Sequence, residues 1–415
     1  MTGSYRSTFL IFMLIMAGEG IFLLPFVLVR VFKPTYLAVF QVSNLELGMY
    51  FSIYGAVAMA SYFFGGPLAD KYPARKLIAI ALFATGTGGL ILNLFPSKLL
   101  LPYLYGYWGF TTIFLFWAAM IRAVREWGGD DIQGKAFGFF EAGRGAIAAL
   151  IATFSILIFS LLIPDTSKIL SEERNSAFQT VLLSSSLLII FIGAVIWYMG
   201  NFINSYGSDE TTSINFKILG RILRMPAIWL QAGIVVSGYV GYKVTDNIPL
   251  YAHEVLNLDE VFAAQISTAS LWFRPFCAIA AGYMADKIKG SRVIALFFII
   301  NIIFSGVLIS GIANVTMVAL FSISFLVIGI YGVRGIYFAL MNEVQIPIQF
   351  TGTSVGVISV IGFTPDVFMT PLMGFFLDTY PGMVGHQLVF GVLGSVSVFG
   401  LLAAILLSRL ASREI

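Results

Sequence analysis

The sequence predicts an all-α polytopic membrane protein with twelve transmembrane helices in two six-helix pseudo-repeat halves. Three observations carry this prediction. Hydrophobic residues make up 59% of the 415, charged residues only 11%, and mean hydropathy is +0.92, whereas a water-soluble chain needs roughly a quarter charged residues. Twelve apolar runs each approach the about 20 residues that a helix needs to cross a bilayer. A short charged turn occurs twice, 216 residues apart, as expected of a chain built from two similar halves.

The apolar runs fall at 8–31, 45–69, 76–96, 101–122, 134–163 and 177–200, then at 226–250, 261–285, 292–312, 316–341, 351–376 and 386–408. Residues 1–200 therefore form an N-terminal bundle, 201–225 a cytoplasmic linker and 226–415 a C-terminal bundle. The linker holds Asp209, Glu210, Lys217, Arg221 and Arg224, and its second half can be drawn as an amphipathic surface helix. The first run follows a short polar stretch and lacks a small-residue cleavage site, so it reads as a retained helix and not a signal peptide. Lys and Arg in the loops set the orientation. Fifteen lie on the side of the N-terminus, against Arg30, Lys33, Lys98, Lys168 and Arg174 on the other. Both termini are thus expected in the cytoplasm, with the chain integral to the plasma (inner) membrane.

The repeated turn reads Gly66-Pro-Leu-Ala-Asp-Lys-Tyr-Pro-Ala-Arg-Lys76, and its copy Gly282-Tyr-Met-Ala-Asp-Lys-Ile-Lys-Gly-Ser-Arg292. In each, a Gly stands four residues before an Asp-Lys pair, and small residues of this kind suit close helix contact. A second correspondence is Gly134-Lys-Ala-Phe-Gly138 at the start of the fifth run and Gly352-Thr-Ser-Val-Gly356 at the start of the eleventh. The turn resembles the signature loop between the second and third helices of the major facilitator superfamily, with its echo between the eighth and ninth. It departs from that pattern at Pro73 and Ala74, where Gly and Arg are commonest, and by an extra residue before Arg292. The resemblance implies a secondary transporter working by alternating access. It further implies that Gly66, Asp70, Arg75, Gly282, Asp286 and Arg292 gate the inner side.

Eight ionisable residues fall at interior depth, where each costs several kcal/mol and so has a partner or a task. They are Glu19 on helix one, Glu141 and Arg144 on five, Lys243 and Asp246 on seven, Arg274 on eight, Arg334 on ten and Asp366 on eleven. Helices three, six, nine and twelve carry none, which marks them as the lipid-facing four. Glu141 with Arg144, and Lys243 with Asp246, have the i,i+3 spacing of pairs on one helix face. Glu19, Arg274, Arg334 and Asp366 have no such neighbour. Glu19, between Gly18 and Gly20, and Asp366, after Pro365 on a helix expected to kink, are the candidate proton-coupling groups; a carboxylate without a permanent cation beside it takes up a proton more readily when buried. The alternative for Glu19 is an ion pair with a basic residue across the bundle. Arg274 suits an anion gripped through two bonds. With Arg144, Arg334, Glu141, Tyr239 and Lys243 it makes up the candidate substrate-binding set; the alternative for Arg334, which lies nearer the cytoplasmic end, is an inner gate.

Several classes are excluded or disfavoured. One cysteine, Cys277, rules out an intrachain disulfide, and two distant histidines, His253 and His386, give no metal site. No nucleotide-binding loop or Gly-x-Ser-x-Gly elbow is present, so neither ATP-driven pumping nor hydrolase chemistry is expected. No cofactor, metal or nucleic-acid partner is expected, and no enzyme activity; the partners are the lipid bilayer, protons and a small polar or anionic substrate, carried by a monomer. The alternative is a proton-driven exporter of cationic or amphipathic compounds. It is disfavoured because helix five has Glu141-Ala-Gly-Arg-Gly145 where drug exporters of this superfamily have a Gly-Pro motif.

Overall fold

The computed structural model describes residues 2–128, 133–163, 165–166, 169–199, 220–311, 315–344 and 351–412. Among these, every regular element is helical, as expected where each backbone N–H and C=O in hydrocarbon must be satisfied within its own segment. Helix one comprises Thr2–Gly20, a π-helical stretch Leu23–Val27, Leu28–Val31 and Lys33–Phe40. Helix two is Asn44–Lys71 and helix three Ala74–Asn93. Helix four runs through Leu101–Gly109, a π-helical Phe110–Trp117 and Ala118–Gly128. Helix five is Gln133–Leu161 and helix six Ser171–Tyr198. In the second half, helix seven is Pro226–Val244, the 3-10 turn Thr245–Asn247 and Ile248–Glu254. Helix eight is Glu260–Ile288, helix nine Gly290–Ile309 and helix ten Thr316–Ile336. Helix eleven is Thr351–Gly362 followed by Pro365–Thr379, and helix twelve is Met383–Ala411. Among the described residues eight helices are long and apolar enough to span a membrane by themselves. A ninth arises if Thr8–Gly20 and Leu23–Val31, bent by 43°, are one span.

The ends and breaks follow from local chemistry. Ser43 caps helix two: its Oγ accepts from the Glu46 N–H at 3.1 Å, and the Glu46 carboxylate accepts from the Ser43 N–H at 2.9 Å. Lys98 then reaches Glu46 at 2.9 Å. Three helices break beside prolines, which remove a backbone donor. Pro25 leaves helix one to continue through a wider turn, in which the Val27 N–H donates to Phe22 O at 3.2 Å. Pro249 follows the tight turn in helix seven, and Pro365 the break in helix eleven.

Contacts divide the chain into two compact units. The first is Met1–Thr211 with Leu258–Trp272, the second Thr212–Asn257 with Phe273–Ile415. The same pairings recur inside each. In the first, helix three packs along six, one along five and two along four; in the second, nine packs along twelve and seven along eleven. Helices three, six, nine and twelve show apolar faces, among them Ile80, Phe191, Ile303 and Phe399, that suit contact with lipid.

Close approach occurs at glycines other than those of the repeated turn. A Cβ at Gly109 would lie 2.6 Å from the Tyr54 carbonyl oxygen, and one at Gly335 2.8 Å from Ala278 Cα. These mark the crossings of helix two with four and of eight with ten. By contrast a Cβ at Gly66, Gly282 or Gly356 would meet no described residue within 4 Å, so among the described residues these three glycines do not make the close helix contact expected of them. Residues 201–219 of the linker and the side chains of 134–138 and 351–353 lie outside the described set.

Gly109→Ala is expected to lower the unfolding midpoint in detergent, with a cost of about 1–3 kcal/mol from overpacking. Gly306→Ala, where a Cβ would meet nothing, is expected to leave it unchanged or raise it slightly. Equal midpoints for the two variants would contradict the backbone crossing.

Candidate functional site

Each unit buries an ion pair between its first and fifth helices. In the first, Arg144 on helix five donates from Nε to Glu19 Oε2 on helix one at 3.1 Å, and from Nη1 to Glu141 Oε1 at 2.7 Å. Glu19 and Arg144 are 3% and 6% exposed, whereas the Glu141 side chain is half exposed. The guanidinium carbon lies 5.5 Å from the ring of Phe22 and 5.6 Å from those of Trp117 and Phe140, within range for cation–π attraction. Phe22 sits at the break of helix one and Trp117 ends the π-helical stretch of helix four. Both irregular segments therefore border this arginine. The i,i+3 pairing of Glu141 with Arg144 is present, and Glu19 joins it across the bundle.

In the second unit the polarity is reversed. Lys243 on helix seven places Nζ 2.6 Å from Asp366 Oδ1 on helix eleven. The Tyr239 hydroxyl lies 3.0 and 2.9 Å from the two Asp366 oxygens, to which it donates. An i,i+3 reading along helix seven pairs Lys243 with Asp246 and misses this partner, because Asp366 is 123 positions away in the chain. Phe363, at the break of helix eleven, packs edge-on to the Tyr239 ring at 4.9 Å. Arg334 on helix ten lies 3.7 Å over the ring of Tyr242 and 5.7 Å from that of Tyr239. Arg274 is buried and close enough for its charge to oppose that of Arg334. Asp246 is buried as well.

Of the predicted gating residues, Arg75 donates from Nη1 to the Trp197 carbonyl at 2.7 Å and so closes the last turn of helix six. Asp286 and Arg292 are exposed, with no hydrogen bond or ion pair among the described residues. The Asp70 side chain lies outside the described set, although its backbone ends helix two.

One cluster escaped the sequence reading. Glu260, buried at the start of helix eight, accepts from Arg174 Nε on helix six at 2.7 Å and from the Thr35 hydroxyl at 2.6 Å. Further along, Ser267 donates to the Arg30 carbonyl at 2.9 Å and Trp272 Nε1 to Thr153 at 3.1 Å. All of these lie within the first unit. The signal available was that Arg174 stands on the side poor in basic residues, where it has a structural use in holding Glu260. Among the described residues, no group of three or more His, Cys, Asp or Glu could hold a metal ion.

Residues 8–364 match the sequence profile of the Major Facilitator Superfamily. The chain belongs to that superfamily. This transporter is 28% identical over 370 residues to the inner membrane protein YqcE of Escherichia coli (strain K12), covering 86% of this chain and 85% of the relative. It is 25% identical over 389 residues to the inner membrane protein YihN of the same strain, covering 90% and 89%. A bacterial homologue of the human lysosomal transporter Spinster, solved in an inward-facing and occupied conformation, shares the fold. Its TM-score is 0.73 at 15% identity, with 99% of this chain and 97% of that one covered. The nucleoside transporter NupG shares it too, with TM-score 0.75 at 12% identity and 97% and 99% coverage. The family and the fold are those of membrane transporters and not of enzymes.

Arg144→Met leaves Glu19 buried without its cation, and is expected to destabilise the fold by about 3–5 kcal/mol. Adding Glu19→Gln should restore a large part of that loss. A double-mutant cycle on thermal unfolding reads the coupling; additive single effects would show that the pair contributes nothing.

Proposed function

We propose that this protein moves a small polar or anionic metabolite across the inner membrane together with protons, as a monomer working by alternating access, with both termini in the cytoplasm. The inner-membrane setting follows the names of YqcE and YihN. The substrate class rests on the second unit, where Lys243, Arg274 and Arg334 stand against only two carboxylates, Asp246 and Asp366; a surplus of one interior charge favours a ligand of the opposite sign.

In this reading Glu19 carries the proton and Arg144 reports it. While Glu19 is ionised, Arg144 is held by two carboxylates. Protonation removes one of them, and the guanidinium is then available to an anion. Proton and anion therefore load together, which is the logic of symport. Asp366, held by Lys243 and Tyr239, is the second proton-coupling candidate. Arg274, Arg334, Glu141, Tyr239 and Lys243 complete the substrate set, and Gly66, Asp70, Arg75, Gly282, Asp286 and Arg292 the inner gate. An exporter of cations would use Glu19, Glu141 and Asp366 as counter-charges, but all three already have a cation within 3.1 Å.

The test is uptake into proteoliposomes under an imposed pH gradient. Glu19→Gln mimics the protonated carboxyl, so it is expected to keep substrate exchange and to lose accumulation driven by the gradient. A Glu19→Gln protein that concentrates substrate as well as wild type would remove Glu19 from the coupling step.

A further inference from the structure

We infer that Arg334 is the receptor for a monovalent oxyanion, such as a carboxylate or sulfonate group, on the transported molecule. The inference rests on the anion-transport reading above and narrows it to one residue and one ligand chemistry.

Among the described residues, Arg144 is answered by Glu19 and Glu141, Lys243 by Asp366, and Arg174 by Glu260. Arg334 differs. Its Nη1 is buried with no hydrogen-bond partner, and no carboxylate lies within ion-pair distance among the described residues. Its neighbours are the faces of Tyr242 and Tyr239. Asp366, which holds Tyr239, is already engaged by Lys243. A guanidinium presents five N–H donors in one plane and no acceptor. Stacking at 3.7 Å on Tyr242 occupies a face of that plane and fixes its orientation, but it satisfies none of the in-plane donors. Those edges are what grip a carboxylate or sulfonate through two parallel bonds.

Energetics point the same way. A buried guanidinium nitrogen without a hydrogen-bond partner costs stability, and the Tyr242 and Tyr239 rings offset part of that cost without supplying an acceptor. An open donor of this kind suits a binding role, since ligand residues are kept at a cost in stability. The +1 surplus of the second unit sets the valence. One negative charge neutralises it, and a second would leave a new uncompensated charge.

The experiment measures unfolding midpoints of the full-length protein in detergent at constant ionic strength. The probes are sodium acetate, sodium methanesulfonate, sodium sulfate and tetramethylammonium chloride, against sodium chloride. Arg334→Met removes the charge and keeps the length. The ligand-free Arg334→Met midpoint is expected to rise, by on the order of 2 °C, because an unanswered charge has gone. Acetate and methanesulfonate are expected to stabilise wild type more than sulfate does, and tetramethylammonium not at all. Both stabilising effects should vanish in Arg334→Met and weaken roughly tenfold in concentration dependence in Arg334→Lys, which keeps the charge and loses the fork. A lower ligand-free midpoint for Arg334→Met overturns the inference, because the residue would then be structural. So does equal oxyanion stabilisation of variant and wild type, or no oxyanion effect on wild type. The broader reading fails separately: oxyanion binding lost with Arg334, but flux that ignores the pH gradient, would sink proton coupling and leave the receptor intact. Proton-driven anion flux with unchanged affinity in Arg334→Met would do the reverse.

Discussion

A charge inside a hydrocarbon layer must be answered, and the arrangement of this protein depends on how Arg144 is. Removing a guanidinium from water costs several kcal/mol unless carboxylates and aromatic faces replace the hydration shell. Glu19 and Glu141 supply the first, and Phe22, Trp117 and Phe140 the second. This requirement joins helix one to helix five, and it uses the irregular stretches of helices one and four, from which two of the rings come. Lys243 and Asp366 do the same for helices seven and eleven with the signs exchanged. The chain thus repeats the geometry of a buried pair between the first and fifth helix of each half while inverting its polarity.

Proline and charge act together in three of these helices. Pro25 lies six residues after Glu19, Pro249 six after Lys243, and Pro365 directly before Asp366. A proline leaves a carbonyl without its helical donor and lets the axis bend. A bent segment turns its side chains relative to the rest of the rod, and a charge placed beside it can meet a partner on another helix.

The pairing pattern also separates two kinds of basic residue. Arg75 closes a helix end through a backbone carbonyl, and Arg174 clasps Glu260. These positions are explained by structure. Arg334 keeps a buried Nη1 without a hydrogen-bond partner beside the rings of Tyr242 and Tyr239. The sequence reading placed it among six candidate substrate-binding residues, with an inner gate as the alternative.

Much of the fold was legible because a bilayer imposes a one-dimensional rule. Apolar runs of about 20 residues and the twice-occurring Gly66 and Gly282 turns yield the element order and the two-fold repeat. The kink at Pro365 and the Glu141–Arg144 pair were legible as well, since both depend on neighbours within one turn. The partners of Glu19, Lys243 and Glu260 were not. Arg144, Asp366 and Arg174 lie 125, 123 and 86 positions from them, and a helix's own periodicity carries no information about which rod it will lie against. Nor could the sequence tell which of 41 glycines sit at a crossing, since that depends on where two axes meet. What the sequence by itself determined is the class of solvent the chain lives in and the inventory of charges it must bury. Which charges neutralise each other was decided only when packing brought distant helices within hydrogen-bond reach.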